Sequence, residues 1–71
     1  MICHENDVVR LREPVTAKVI GEQRSLVIPA GTEGAVVLVY GSPVKPDAYE
    51  IEFYVRDDDC YVLATLDASK I

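Results

Sequence analysis

Apolar and polar positions alternate along much of the chain with a period of two, the spacing of a strand that buries one face. The clearest case is Tyr49-Glu50-Ile51-Glu52-Phe53-Tyr54-Val55-Arg56. Tyr49, Ile51, Phe53 and Val55 fall on one side; Glu50, Glu52 and Arg56 fall on the other, where Tyr54 interrupts the polar series. Just upstream, Ala35-Val36-Val37-Leu38-Val39-Tyr40 runs without a polar interruption after the turn Gly31-Thr32-Glu33-Gly34. A Val-rich run that short predicts a central strand covered on both faces. The two segments predict a β-hairpin around which the rest of the chain is wrapped.

The flanking segments are less regular. Asp7 to Arg12 predicts a first strand with Val9 and Leu11 inward, ended at Glu13-Pro14 because proline offers no ladder N–H. Val15 to Ala30 reads as a long loop folded on itself in an irregular hairpin; its β-branched residues and Gly21 oppose a helix. Gly41 to Ala48 reads as a loop longer than a tight turn, stiffened by two prolines. Asp57-Asp58-Asp59 is a turn whose carboxylates must be solvated. Cys60 to Leu66 predicts a further strand, apolar on both sides. Asp67 to Ile71 is too short for a helix of its own, and Ile71 is placed to plug the open end of a barrel. Together these predict an all-β fold: a small barrel of about five strongly bent antiparallel strands. One domain spans residues 1–71, with residues 1–6 as a mobile end.

Four segments carry a resemblance: Asp7-Val8-Val9-Arg10-Leu11; Ile28 through Gly31-Thr32-Glu33-Gly34 to Val37; Tyr49-Glu50-Ile51-Glu52-Phe53; and Leu63-Ala64-Thr65-Leu66. From Asp7 to Leu66 the chain resembles a family of small bacterial proteins of unknown function, with a D-V-V-x-L start, a G-x-x-G-x-V-V turn and strand, Y-x-V-E-F and a terminal T-L strand. The resemblance implies an SH3-like barrel, related in shape to KOW-type modules. It implies no activity and no catalytic residues. It also implies a link to toxin–antitoxin-like or mobile loci, and so the inhibitor, or antitoxin, place in a small gene pair. The Gly41 to Ala48 loop and the Asp57-Asp58-Asp59 turn depart from the pattern.

Charge narrows the functional classes. Seven basic and twelve acidic residues give a net charge of −5. Residues 1–30 are neutral in sum, so the whole excess of acid lies in residues 31–71. That balance opposes a phosphate backbone, which is bound by Lys and Arg. The longest apolar run falls far short of the ~20 residues of a membrane span. Residues 1–7 have neither the basic start nor the apolar stretch of a secretory signal, which gives a cytoplasmic expectation.

Chemistry-bearing residues are few. Cys3, His4 and Cys60 are the soft metal ligands, too few and too far apart for a structural zinc site. No metal and no cofactor is expected, and both cysteines are expected as thiols. Glu50 and Glu52 lie two apart on one strand face, roughly 6.6 Å. That spacing falls in the range of an inverting glycosidase pair, but a chain this small offers no cleft to raise one pKa. His4 has no Ser or Cys set beside it by a catalytic motif. Gly31 to Gly34 lacks the Lys and the following helix of a phosphate cradle.

No catalytic residue is expected. The expected function is a non-catalytic protein-interaction module, working as a homodimer or on a partner protein, without a small-molecule substrate. A 71-residue barrel has one interior, so a strand apolar on both sides leaves an apolar face outside. The expected contact residues are Val36, Leu38, Tyr40, Glu50, Glu52 and Tyr54. The alternative is a KOW-like nucleic-acid-associated barrel with Arg10, Arg12, Lys18 and Arg24 as its basic side.

Overall fold

A computed structural model describes residues 2–71. It contains β1 (Val8–Arg10), β2 (Val15–Val19), β3 (Ser25–Ile28), β4 (Glu33–Ser42), β5 (Lys45–Val55), β6 (Cys60–Asp67) and a single 3-10 turn, Ala68–Lys70. All pairings are antiparallel, in the order β1-β4-β5-β6-β2-β3. The sheet curls into a half-barrel with one apolar interior. The alternation of β5 sets its faces as the sequence predicts: Tyr49, Ile51 and Phe53 are fully buried, packed with Val36, Val62 and Val19. Ile71 is buried against the same cluster at the end of the chain.

Six strands form rather than about five. The extra one comes from the Val15–Ala30 segment, which is a regular hairpin. β2 and β3 pair from Val15↔Ile28 to Lys18↔Ser25. Ala17, Val19 and Ile28 face the core, and Thr16, Lys18 and Val27 face out. Short alternating runs suffice because each lies against an existing sheet.

The expected Gly41–Ala48 loop is also strand. β4 and β5 continue past Tyr40↔Ala48 to Ser42↔Lys45, leaving only Pro43 and Val44 as the connection. β6 stops pairing with β5 at Ala48↔Asp67, so Pro46 lies where β5 has no second neighbour and its missing N–H is tolerated. The result is a two-stranded arm that extends past the rest of the sheet.

Val36 corrects the expected contact set. It is buried, opposite Ile51. The ladder then shifts register between Val36 and Leu38, so Val37 is an extra residue in a β-bulge. Val37 and Leu38 are both exposed, and Val39 turns back inward opposite Tyr49. β4 is therefore covered on one face, not two.

The expectation of a mobile end over residues 1–6 includes Met1, which lies outside the described residues. Of residues 2–6, Cys3 reaches into the core, while Ile2, His4, Glu5 and Asn6 are exposed. Cys3 is buried, and its N–H donates to the Tyr49 hydroxyl at 3.0 Å. Asn6 N–H donates to the Val36 carbonyl at 2.7 Å, which prolongs the β1–β4 pairing. Cys60 lies opposite Val55, six residues along β5 from Tyr49, or on the order of 20 Å, so no disulfide can join it to Cys3. Burial, helped by the charge of Asp7, pushes the Cys3 thiol above its usual pKa. A thiol reagent at neutral pH is therefore expected to label half-buried Cys60 in the folded protein and Cys3 only after unfolding in urea. Equal native rates would show that Cys3 leaves the core.

Candidate functional site

The outer face of the sheet is built by the same alternation that builds the core. Residues directly opposite in an antiparallel pair share a face. With Phe53, Ile51 and Tyr49 inward, β5 turns Tyr54, Glu52 and Glu50 outward, and β6 sets Tyr61, Leu63 and Thr65 beside them. On the other side β4 brings Ala35 opposite Glu52 and Leu38 opposite Glu50, with Tyr40 next along the strand. β2 adds Lys18 beside Leu63. The surface thus has Glu52 at its centre, between Ala35 and Leu63 across the sheet and between Glu50 and Tyr54 along the strand.

The aromatic end of this face is ordered by contacts. The Tyr54 and Tyr61 rings lie 5.2 Å apart at a tilt of 51°. The Tyr54 hydroxyl donates to Asp59 Oδ1 at 2.7 Å. That bond, with partial desolvation and the neighbouring Tyr61, holds the Tyr54 phenol above its ordinary pKa. Asp59 adopts φ 47, a left-handed conformation that Asp tolerates in turns, and this aims its carboxylate back at Tyr54. Glu50 accepts a hydrogen bond from the Thr65 hydroxyl. Neither Glu50 nor Glu52 forms an ion pair among the described residues.

Two shallow grooves border the face. One, of about 630 Å³, runs from Glu50 and Thr65 past Leu63 to Lys18 and Ile20. The other, of about 410 Å³, is lined by Ile20, Glu52, Cys60 and Tyr61. Both are open, so neither shelters a carboxylate from water as acid–base catalysis by Glu50 and Glu52 would require. Among the described residues, no three of His, Cys, Asp and Glu converge to hold a metal.

The profile of one protein family matches residues 5–71: the domain of unknown function DUF4926. The chain belongs to that family. No curated protein and no solved structure matches it. Membership of DUF4926 assigns no site, so the geometry has to.

Of the expected contact residues, Leu38, Tyr40, Glu50, Glu52 and Tyr54 share the outer face, and only Val36 does not. Tyr61, Leu63 and Ile20 belong to the same surface and were not expected there. Alternation away from buried Val62 and Ala64 would have turned Tyr61 and Leu63 outward, but their place beside Tyr54 and Glu52 needs the register. The basic residues do not converge. Arg10 on β1 pairs with Glu33 at 3.0 Å, whereas Lys18 is on β2, with β4, β5 and β6 between. Arg24 pairs with Glu22 at 3.2 Å and Asp58 at 3.5 Å, and the bond to Glu22 raises its already high pKa. Arg12 donates to the Ile71 carbonyl.

Proposed function

We propose that this DUF4926 chain is a non-catalytic, cytoplasmic protein-interaction module, working by association with a partner protein or a second copy. Its contact surface is the outer face of β4, β5 and β6. One observation carries the reading: Leu38, Tyr40, Tyr54 and Tyr61 stand 39–53% exposed on one side of a single curled sheet. Apolar and tyrosine surface around a few acids has the composition of a contact patch. Among the described residues, no helix is long and apolar enough to cross a membrane. The finer fold reading is an SH3-like barrel. A first strand, a long hairpin and then the β4-β5-β6 meander ending in a 3-10 turn support it. The inhibitor place in a small gene pair is consistent with a small acidic binding module.

The test is a double variant, Leu38→Ser with Tyr61→Ser. Both side chains are exposed, so the stability is expected to stay within about 0.5 kcal/mol of wild type for Leu38→Ser, and Tyr61→Ser adds about 0.5–1.5 kcal/mol for the lost ring contact with Tyr54. Light scattering over a concentration series, with and without candidate partner proteins, is expected to show association of the wild type that the variant loses. A wild-type monomer at high micromolar concentration, with no loss of an apolar dye signal on adding partners, would contradict the proposal.

A further inference from the structure

We infer that the partner of this face presents a basic extended segment of the form Arg-x-Arg, one arginine seated over Glu52 beside the Tyr54–Tyr61 pair. This rests on the interaction reading above and names the chemistry of its partner.

Charge comes first. The net −5 resides wholly in residues 31–71, the part of the chain that builds β4, β5 and β6. Several acids away from this face have a cation: Glu33 pairs with Arg10, Glu22 and Asp58 with Arg24, and Glu13 with Lys70. Glu50 and Glu52 remain without a cation, in the middle of the apolar surface. Any partner that covers this face removes their water, and a carboxylate so covered requires a counter-charge. A second copy supplies too little. Among the described residues the unpaired cations nearest this face, Lys18 on β2 and Arg56 just past the end of β5, lie at its edges, so a face-to-face dimer centred on Glu52 sets the glutamates of the two copies against one another. A basic partner removes that conflict.

Shape then selects among cations. Glu52 lies opposite Ala35, whose small side chain leaves room above the carboxylate. The groove beside it is walled by Ile20 and Tyr61. Tyr54, tethered to Asp59, keeps its ring in place next to Tyr61. A planar guanidinium fits such a place better than an ammonium: it stacks on a tyrosine ring while its parallel N–H groups meet both carboxylate oxygens. Residues i and i+2 of an extended chain are about 6.6 Å apart, the spacing of Glu50 and Glu52 along β5. A segment lying along β5 thus sets one basic side chain over each glutamate.

The experiment uses fluorescein-labelled nine-residue peptides whose centre is Arg-Val-Arg, Lys-Val-Lys or Glu-Val-Glu, titrated with the whole protein and read by anisotropy at ~0.15 M salt. The arginine peptide is expected to bind saturably, the lysine peptide several-fold more weakly and the glutamate peptide not at all. Glu52→Gln is expected to weaken the arginine peptide about tenfold. Glu13→Gln, which removes an acid outside this face, is expected to leave it unchanged. Amide shifts on binding should concentrate at Glu52, Tyr61 and Leu63. Absence of arginine-peptide binding overturns the inference, as does an equal loss from Glu13→Gln and Glu52→Gln. If the arginine peptide does not bind while the wild type is a dimer that Leu38→Ser with Tyr61→Ser dissociates, the interaction reading stands and the basic partner falls. If neither the peptide nor any protein associates with the face, both fall.

Discussion

Phe53→Ala is expected to destabilise the protein by about 3–5 kcal/mol, the cost of truncating a buried aromatic residue. Phe53 is 1% exposed and sits at the end of β5 where β4, β6 and Gly34 meet it. A chain of 71 residues has a total stability of about 4–11 kcal/mol on the usual per-residue scale. Losing 3–5 kcal/mol would leave the protein at best marginally folded. β5 is the strand that pairs with both β4 and β6, so the loss falls where the two halves of the sheet are joined. Urea titration followed by circular dichroism checks this. A large fall in midpoint, or a protein unfolded without urea, is expected. Phe53→Leu keeps most of the volume and should cost under about 1.5 kcal/mol. An unchanged midpoint for Phe53→Ala would mean that the inner and outer faces of β5 are exchanged, and with them the whole surface assigned above.

That dependence shows which parts of the molecule are legible in the sequence. The faces of β5 can be read directly, because four apolar residues recur at every second position and no bulge shifts them, Tyr54 being the one break in the polar series between them. The faces of β4 cannot. Its run from Ala35 to Tyr40 has no polar marker, and the bulge at Val37 inserts one residue, which moves Leu38 to the side that strict alternation from Val36 would not give it. The same residue explains why Val36 and Leu38 part company as site candidates. In the Gly41–Ala48 segment the turn residues are real but the loop is not: Pro46 is compatible with a strand that has only one neighbour, a fact about the end of β6 rather than about the segment itself. The site is half legible for a related reason. Glu50, Glu52 and Tyr54 share a strand and follow from period two. Tyr61, Leu63 and Ile20 join them through the β5–β6 and β2–β6 registers, which depend on pairings between residues far apart in the chain.

Gly34→Ala carries the second large effect, and its cause is visible in the packing. The turn Gly31-Thr32-Glu33-Gly34 contains two glycines with different tasks. Gly31 takes φ +88 and turns the chain, a conformation costly for other residues. Gly34 lies outside that region; it is an ordinary strand residue opposite Val9, facing the core. A Cβ there would stand 2.6 Å from two ring carbons of Phe53 and 2.7 Å from Ile51 Cγ2. Both neighbours are fully buried, so neither can swing into water to make room. On backbone grounds alone a glycine-to-alanine change at such a φ stabilises by about 0.4–1 kcal/mol, by restricting the unfolded chain. Overpacking costs about 1–3 kcal/mol and should dominate. Gly34→Ala is therefore expected to lower the urea midpoint, and the clash with Phe53 predicts how the loss is recovered. Phe53→Leu withdraws the ring atoms that the new methyl would meet. The double variant should then be more stable than the two single losses added together, by a coupling of about 0.5–3 kcal/mol. Four midpoints decide it: wild type, each single variant and the pair. A Gly34→Ala protein as stable as wild type, or losses that simply add, would show that Phe53 does not rest against Gly34 and that β4 and β5 meet in another register.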